Sequence, residues 1–317
     1  MNKITDIHTQ RLLSFPVAVG CPLCRRELTL AGDRIQCPPC EDERCPRGFE
    51  LRDGFPDLVV GGRFEDECDE AGLAYEESSN VYTAEQFWVP TFRKLWPESE
   101  RPVRLLALGC GTGIEVDVLC RAGFECVGID CGNRAQVWSR RESRDRLLLA
   151  NGRHLPFDDA TFDGVFCGCV FPHVGTVGDG FVVTEHHERE RQELAREMAR
   201  VLKPSGKIVV SSPNRRFPFD LFHRGKVPTY KPRLNRPSDT FLLSVDDYRR
   251  LFAACGLSRV SPLPIDGYWG FVRSQHSFLG CALGTPVRWY FRLLSLERVS
   301  YLRSSVIAPW IVVAITA

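Results

Sequence analysis

Three sets of residues in this chain have types and spacings that could do chemistry. The first is Gly109-Cys110-Gly111-Thr112-Gly113, with Asp130 further along. Glycines let a backbone approach a ligand closely, and a helix that opens just after them offers unpaired N–H groups. A carboxylate at Asp130 can accept two hydrogen bonds from a ribose diol. The second set is cysteines: Cys21-Pro22-Leu23-Cys24, Cys37-Pro38-Pro39-Cys40 and Cys45. Two CxxC turns joined by a polar hairpin (strands near 28–30 and 34–36, turn at Gly32-Asp33) have zinc-ribbon spacing, and four thiolates complete a structural tetrahedron. Cys21, Cys24 and Cys37 take three places, and Cys40 or Cys45 takes the fourth. The third set is histidines. His173 follows a strand end and His223 lies in the region beyond the next strand, so either can serve as a general base toward a hydroxyl. The plainer role of His173 is to orient its loop, and His186 and His187 read as solvated.

These residues need elements to hold them. An apolar run over 103–108 suits a buried parallel strand. Residues 114–122 then read as a helix, with Ile114, Val118 and Ala122 on one face and Gly123 to stop it. A second strand over 125–129 delivers Asp130 at its carboxyl end. A short third strand, 147–149, leads into Ala150-Asn151-Gly152, and a fourth spans 164–170. A charged helix over 185–202 and a fifth strand over 207–211 follow. Such alternation means a parallel sheet with helices on both faces, whose ligands sit at the carboxyl ends of the strands. Gly109 to Gly113, Asp130, Asn151 and residues 167–170 all fall there. Upstream, a helix over 83–96 is expected, capped by Thr83 and kinked at Pro90. Downstream come a helix over 245–255, a sixth strand within 257–263, a helix over 287–302 and a closing strand within 306–317.

At 317 residues and 44% hydrophobic composition the chain can bury a large core, and its formal charge of +1 sets up no global field. Residues 61–79 hold seven acids against Arg63 and read as a solvated connector. The N-terminus shows no signal peptide, and the longest apolar run, 306–317, is shorter than the roughly 20 residues of a membrane span. Fourteen cysteines scattered through a chain of this kind suit a reducing cytoplasm better than a disulfide scaffold.

Two resemblances sharpen this reading. The segment from Cys21 to Leu58, ending GFELRDGFPDLV, resembles the small zinc-binding domain that precedes some bacterial methyltransferase domains, including rRNA guanine-N1 methyltransferases. In that pattern the last ligand falls just before an aromatic residue and a Gly-x-Pro-like turn. Phe49 and Gly54-Phe55-Pro56 match, which implies Cys45 as the fourth ligand of a structural Zn²⁺. The central segment resembles the class I S-adenosylmethionine-dependent methyltransferases of the type 11 pattern. It does so through LALGCGTG, GID (128–130), LPFDDATFDGV (155–165) and RVLKPSGKIVVSSPN (200–214), in order and in register.

That resemblance implies an α/β, Rossmann-like seven-stranded sheet whose last strand is antiparallel. It implies that Gly109, Gly111 and Gly113 line the methionine and ribose of the cofactor, Asp130 its ribose hydroxyls and Asn151 its adenine amino group. Cys110, Gly152 and Cys167, at the same strand ends, complete the expected cofactor-binding set. The family more often has Asp at position 151 and Gly at 205, where Asn and Ser stand here. The rival ligand, a dinucleotide, calls for GxGxxG, but the position of its third glycine is Ile114. The expected organisation is a zinc-ribbon-like module at 1–60, an acidic linker at 61–80 and a methyltransferase domain at 81–317, with insertions at 213–243 and 271–304.

The acceptor is less legible. From Lys203 to Arg236 there are nine basic residues against Asp220, along with Phe217, Phe219, Phe222 and Tyr230. The plain reading is a lid over the acceptor. The sharper one is recognition of an anionic small molecule of sugar, lipid or secondary-metabolite type. Nucleic acid is the second candidate partner, disfavoured because no NPPY-type motif follows the fourth strand. A non-catalytic, cofactor-binding partner subunit is the third reading. The helix over 287–302 is expected to pack in the core or in a dimer before it would lie on a membrane surface. The acceptor atom and the oligomeric state are not encoded in any motif.

Overall fold

The structure, a computed structural model, describes residues 15–31, 34–64, 69–97, 99–178, 180–220, 223, 233–236, 239–268 and 278–317. The expected Gly32-Asp33 turn, the acids at 65–67, the lid residues Phe222 and Tyr230 and the start of the second insertion at 271–277 lie outside the described residues. In chain order the elements begin with β1 (Thr29–Ala31), β2 (Arg34–Gln36), β3 (Gly48–Arg52) and β4 (Phe55–Asp57). Helices α1 (Glu70–Thr83) and α2 (Val89–Leu95) follow, then β5 (Arg104–Leu108), α3 (Ile114–Arg121), β6 (Glu125–Asp130), β7 (Leu147–Leu149) and β8 (Phe162–Gly168). The second half holds α4 (His187–Val201), β9 (Leu202–Pro213), β10 (Phe219–Asp220), β11 (Arg233–Leu234), α5 (Val245–Ala253), β12 (Arg259–Pro262), α6 (Phe278–Ser295) and β13 (Trp310–Thr316).

Seven strands run β7-β6-β5-β8-β9-β13-β12, with β13 antiparallel to both neighbours and the first five mutually parallel. This is the expected α/β sheet. The strand residues alternate between two cores, as a period of two requires. Leu106, Leu108, Val165, Cys167, Ile208 and Val210 face α4 and α5, where Leu194, Met198 and Phe252 are buried. Leu105, Ala107, Phe166 and Val209 face the other way, against Trp88, Phe92, Val116 and Trp138. Each fully buried side chain of this size contributes about 1.5–3 kcal/mol. The glycine turn is held between these layers, at the point where β5 ends.

Several elements differ from the expectations in instructive ways. The stretch read as an acidic linker contains α1, capped by Asp69, whose side chain accepts from Gly72 N–H. Two of its acids are held against the sheet domain: Glu76 meets Arg134 at 2.8 Å and Glu77 meets Arg141 at 2.5 Å. Thr83 is therefore no cap. Its hydroxyl lies 3.0 Å from the carbonyls of Ser79 and Tyr268, and the helix continues through a wider turn, Ala84–Trp88, into α2. That turn relieves the strain of Pro90, whose missing N–H would otherwise interrupt the ladder. Residues 203–206, expected to turn, form a bulge within β9, since the register to β8 jumps from Phe162↔Leu202 to Gly164↔Lys207. The helix expected at 287–302 is instead α6 followed by a tight helical segment, Glu297–Ser304. It buries Phe291 and Leu294 and leaves Trp289 and Leu293 exposed.

The N-terminal hairpins do not stand apart. β4 pairs in parallel with β7 at Asp57↔Leu149, and Leu58 N–H donates to Leu149 O at 2.8 Å. The ribbon thus prolongs the central sheet beyond its third parallel strand. No described helix is long and apolar enough to cross a membrane.

Candidate active site

A cavity of about 640 Å³ opens at the carboxyl ends of the parallel strands, and Gly109, Asp130, Asn151, Gly152, Cys169 and His173 all contribute to its lining. This is the crevice where sheets of this type take their ligands, and its size is that of a small-molecule site. Gly109 has φ +69°, and a Cβ there would stand 2.5 Å from Val170 Cγ2. Only glycine leaves that wall open. Gly111 and Gly113 also have positive φ, but they shape the turn beneath the cavity rather than line it.

Asp130 organises the turn. Its Oδ2 accepts from Gly111 N–H at 2.9 Å and its Oδ1 from Gly132 N–H at 2.7 Å. Burial raises its pKa, and those two donors work against the rise. Each oxygen keeps a second lone pair for a ligand hydroxyl. Asn151 is differently engaged from the expectation. Its Nδ2 donates to Gly62 O at 2.8 Å and its Oδ1 accepts from Arg153 N–H at 3.0 Å, so its amide ties down the segment after β4. Cys110 and Cys167 are fully buried in opposite cores and do not reach the cavity. Burial pushes both thiols up.

The residue that sequence reasoning passed over is Cys169, two places beyond Cys167. It follows β8 with φ +57°, a backbone that cysteine seldom adopts, and its N–H donates to Ser211 O at 2.8 Å. Its Sγ lies 3.4 Å from His223 Nε2, while His223 Nδ1 lies 2.9 Å from Asp220 Oδ2. The rings of His173 and His223 are 5.1 Å apart. Burial would raise the Cys169 thiol, but the two histidines outweigh it and bring it to about 6. Burial would lower His223, but Cys169 and Asp220 raise it to about 10. Cys169 and His223 thus each favour the charged form of the other. The only sequence signal for Cys169 was the strand-end position shared by residues 167–170.

Away from the cavity, Cys21, Cys24, Cys37 and Cys45 converge. Their sulfur contacts are 3.1 Å (Cys21–Cys45), 3.4 Å (Cys24–Cys37), 3.3 Å (Cys37–Cys45) and 3.9 Å (Cys24–Cys45). Four thiolates around zinc stand about 3.8 Å apart, so the donor set fits the ion after slight expansion. Cys40 lies outside this group, near the Arg47 guanidinium. Among the described basic residues from Lys203 to Arg236, four are matched by acids: Lys203 by Asp163, Arg215 by Asp247, Arg216 by Asp246, and Arg233 by Asp239 and Asp220.

Residues 106–210, which hold the turn, Asp130, Asn151, Cys169 and His173, match the family described as "Methyltransferase domain". That segment is a methyltransferase domain. A probable S-adenosylmethionine-dependent methyltransferase of Mycobacterium tuberculosis is 32% identical over 112 residues, covering 35% of this chain and 36% of the relative. A demethylmenaquinone methyltransferase of Corynebacterium urealyticum is 31% identical over 109 residues, covering 34% of this chain and 40% of the relative. The chain thus spans about two-fifths or less of the length of these relatives. The solved PH0226 protein of Pyrococcus horikoshii is 25% identical with a TM-score of 0.32, over 45% of this chain and 67% of its own. The four-cysteine group, Asp220 and His223 all lie outside the residues matched to the methyltransferase domain.

Proposed function

We propose that this chain is an S-adenosylmethionine-dependent methyltransferase acting on a small-molecule acceptor of sugar, lipid or secondary-metabolite type. The observation that carries the reading is the cavity in the methyltransferase domain, walled by a side-chain-free Gly109 and edged by the Asp130 carboxylate. Asp130 would hold the ribose diol, and Gly109 would let the backbone at the end of β5 approach the amino-acid end. The bound cofactor supplies a methyl group already activated by a sulfonium leaving group. The protein's part is therefore alignment, which can supply most of the barrier reduction. His173 and His223 are the candidate catalytic residues on the acceptor side, next to Cys169. A small molecule is favoured over nucleic acid because three of the four described basic residues of the first insertion, Arg215, Arg216 and Arg233, pair with internal acids. The relative that takes demethylmenaquinone, by its name, also has a small-molecule acceptor. The Cys21, Cys24, Cys37 and Cys45 group would hold a structural zinc ion and take no part in the reaction.

Calorimetric titration with S-adenosylmethionine tests the cofactor half of this reading. Wild type should bind, and Asp130→Asn should bind about tenfold to a hundredfold more weakly, since hydrogen bonds to a charged group are worth about 1.5–3 kcal/mol. Binding of NAD with no response to S-adenosylmethionine would overturn it. Transfer of a labelled methyl group across pools of small-molecule and RNA acceptors tests the other half.

A further inference from the structure

We propose that Cys169, His173 and His223 hold one zinc ion at the acceptor end of the cavity, distinct from the four-cysteine group. This ion keeps one coordination position for the acceptor's hydroxyl or thiol. One ligand atom from each residue falls within 4.8 Å of the others. In a tetrahedral zinc site the sulfur and a ring nitrogen stand about 3.5 Å apart, and Cys169 Sγ and His223 Nε2 are 3.4 Å apart. The three residues come from the end of β8, the short helical turn Phe171–His173 and the first insertion. They meet only because the chain folds them together.

One further observation favours a metal over a thiol–imidazole nucleophile, and two more mark the cluster as a working site. A nucleophile needs one histidine, whereas two stand beside this sulfur. Asp220, whose side chain is fully buried, takes the Nδ1 side of His223. That is the carboxylate–histidine arrangement that orients metal-bound imidazoles. Cys169 is also held at a positive φ, the kind of local strain that folds keep at working sites. One thiolate and two imidazoles suit zinc. Copper sites of this composition commonly add an axial methionine, and Met198, the methionine among the described residues, is buried in the core between the sheet and its helices. Three protein ligands with Cys169 and His173 on the cavity wall leave the fourth position facing the substrate space.

Resting on the methyl-transfer reading, the role of the site is to deprotonate the acceptor. The acceptor's X–H loses its proton to solvent on binding the ion. The lone pair of X then forms the bond to the methyl carbon as the carbon–sulfur bond breaks, and that electron pair returns to sulfur as a neutral thioether.

Elemental analysis of full-length protein purified without chelator should find about two zinc ions per chain. Cys37→Ser should remove the ribbon ion, and His223→Gln or Cys169→Ser the other. Cobalt-loaded wild type, which does not depend on any variant folding, should show two tetrahedral spectra, one of a four-thiolate site and one of a single-thiolate site. One zinc per chain, a cobalt spectrum of the four-thiolate site alone, or copper at the second site would overturn the inference. S-adenosylmethionine titration of the same protein separates the two proposals. Binding without a second ion sinks this one, and a second ion without binding sinks the methyltransferase reading.

Discussion

Gly109 stands where β5 gives way to the cavity, and its missing side chain is a functional property. Gly109→Ala would combine backbone strain of about 1–3 kcal/mol with a clash 2.5 Å from Val170. Displacing Val170 would also shift the helical turn that carries His173. Gly123→Ala is the natural control, since φ there is +94° but nothing lies within 4 Å. Both variants should lose melting temperature, and only Gly109→Ala should also lose S-adenosylmethionine binding. Equal binding in the two would show that Gly109 does not border the ligand. At this scale Gly109, Asp130 and His173 could be placed at the cavity from sequence, because each lies at or within a few residues of a strand's carboxyl end. Cys169 could not be singled out, because its partner His223 is 54 residues away in a region without a motif. The partner of the Asn151 amide was hidden for a similar reason. The carbonyl that takes its amide belongs to Gly62, 89 residues earlier.

Among the elements, the zinc ribbon and α1 were legible to different degrees. Cysteine spacing alone located the ribbon, because a knuckle is a local structure. The helix α1 was hidden by its acids. Counting charges within residues 61–79 says nothing of Arg134 and Arg141, which meet Glu76 and Glu77 across 58 and 64 residues. The two candidates for the fourth zinc ligand can be separated by experiment. Cys45→Ser should lower zinc content by about one ion and unfold the ribbon, since such sites supply most of the folding energy of their module. Cys40→Ser should retain the ion. Proteolysis with metal analysis reads both, and loss of zinc from Cys40→Ser alone would reverse the assignment.

For the molecule as a whole, alternating strands and helices were enough to anticipate a parallel sheet covered on both faces, because burial on both faces leaves a strong apolar signal. Its seven strands and antiparallel last strand were implied only by the methyltransferase resemblance. One charged cluster ties that sheet together. Asp163, at the start of β8, accepts from Arg101 at 2.6 Å, Arg104 N–H at 2.9 Å and Lys203 at 2.9 Å. Burial alone would raise its carboxyl, but these three donors outweigh it and hold it at about 2. The folded value lies below the unfolded one of about 3.9, so the unfolded chain binds the proton more readily. The contribution, about 2 kcal/mol, is therefore complete above about pH 4 and disappears as pH falls through about 2. Asp163→Asn should lower the urea midpoint at pH 7 and flatten its acid dependence below pH 4. An unaltered acid limb in the variant would discount the cluster.

The pairing of β4 with β7 has a consequence for solubility. A parallel sheet that stopped at β7 would expose a row of unpaired N–H and C=O groups, a template on which other chains can add strands. The ribbon occupies that position and then turns through β3 and β2 to end the sheet on a strand of only three residues, β1. β7 is no longer than β1, but it is wholly leucine, and an apolar edge is the riskier template. By holding the ribbon in place, the four-cysteine group would therefore also guard that edge of the sheet against self-association, a role separate from the cavity it does not line.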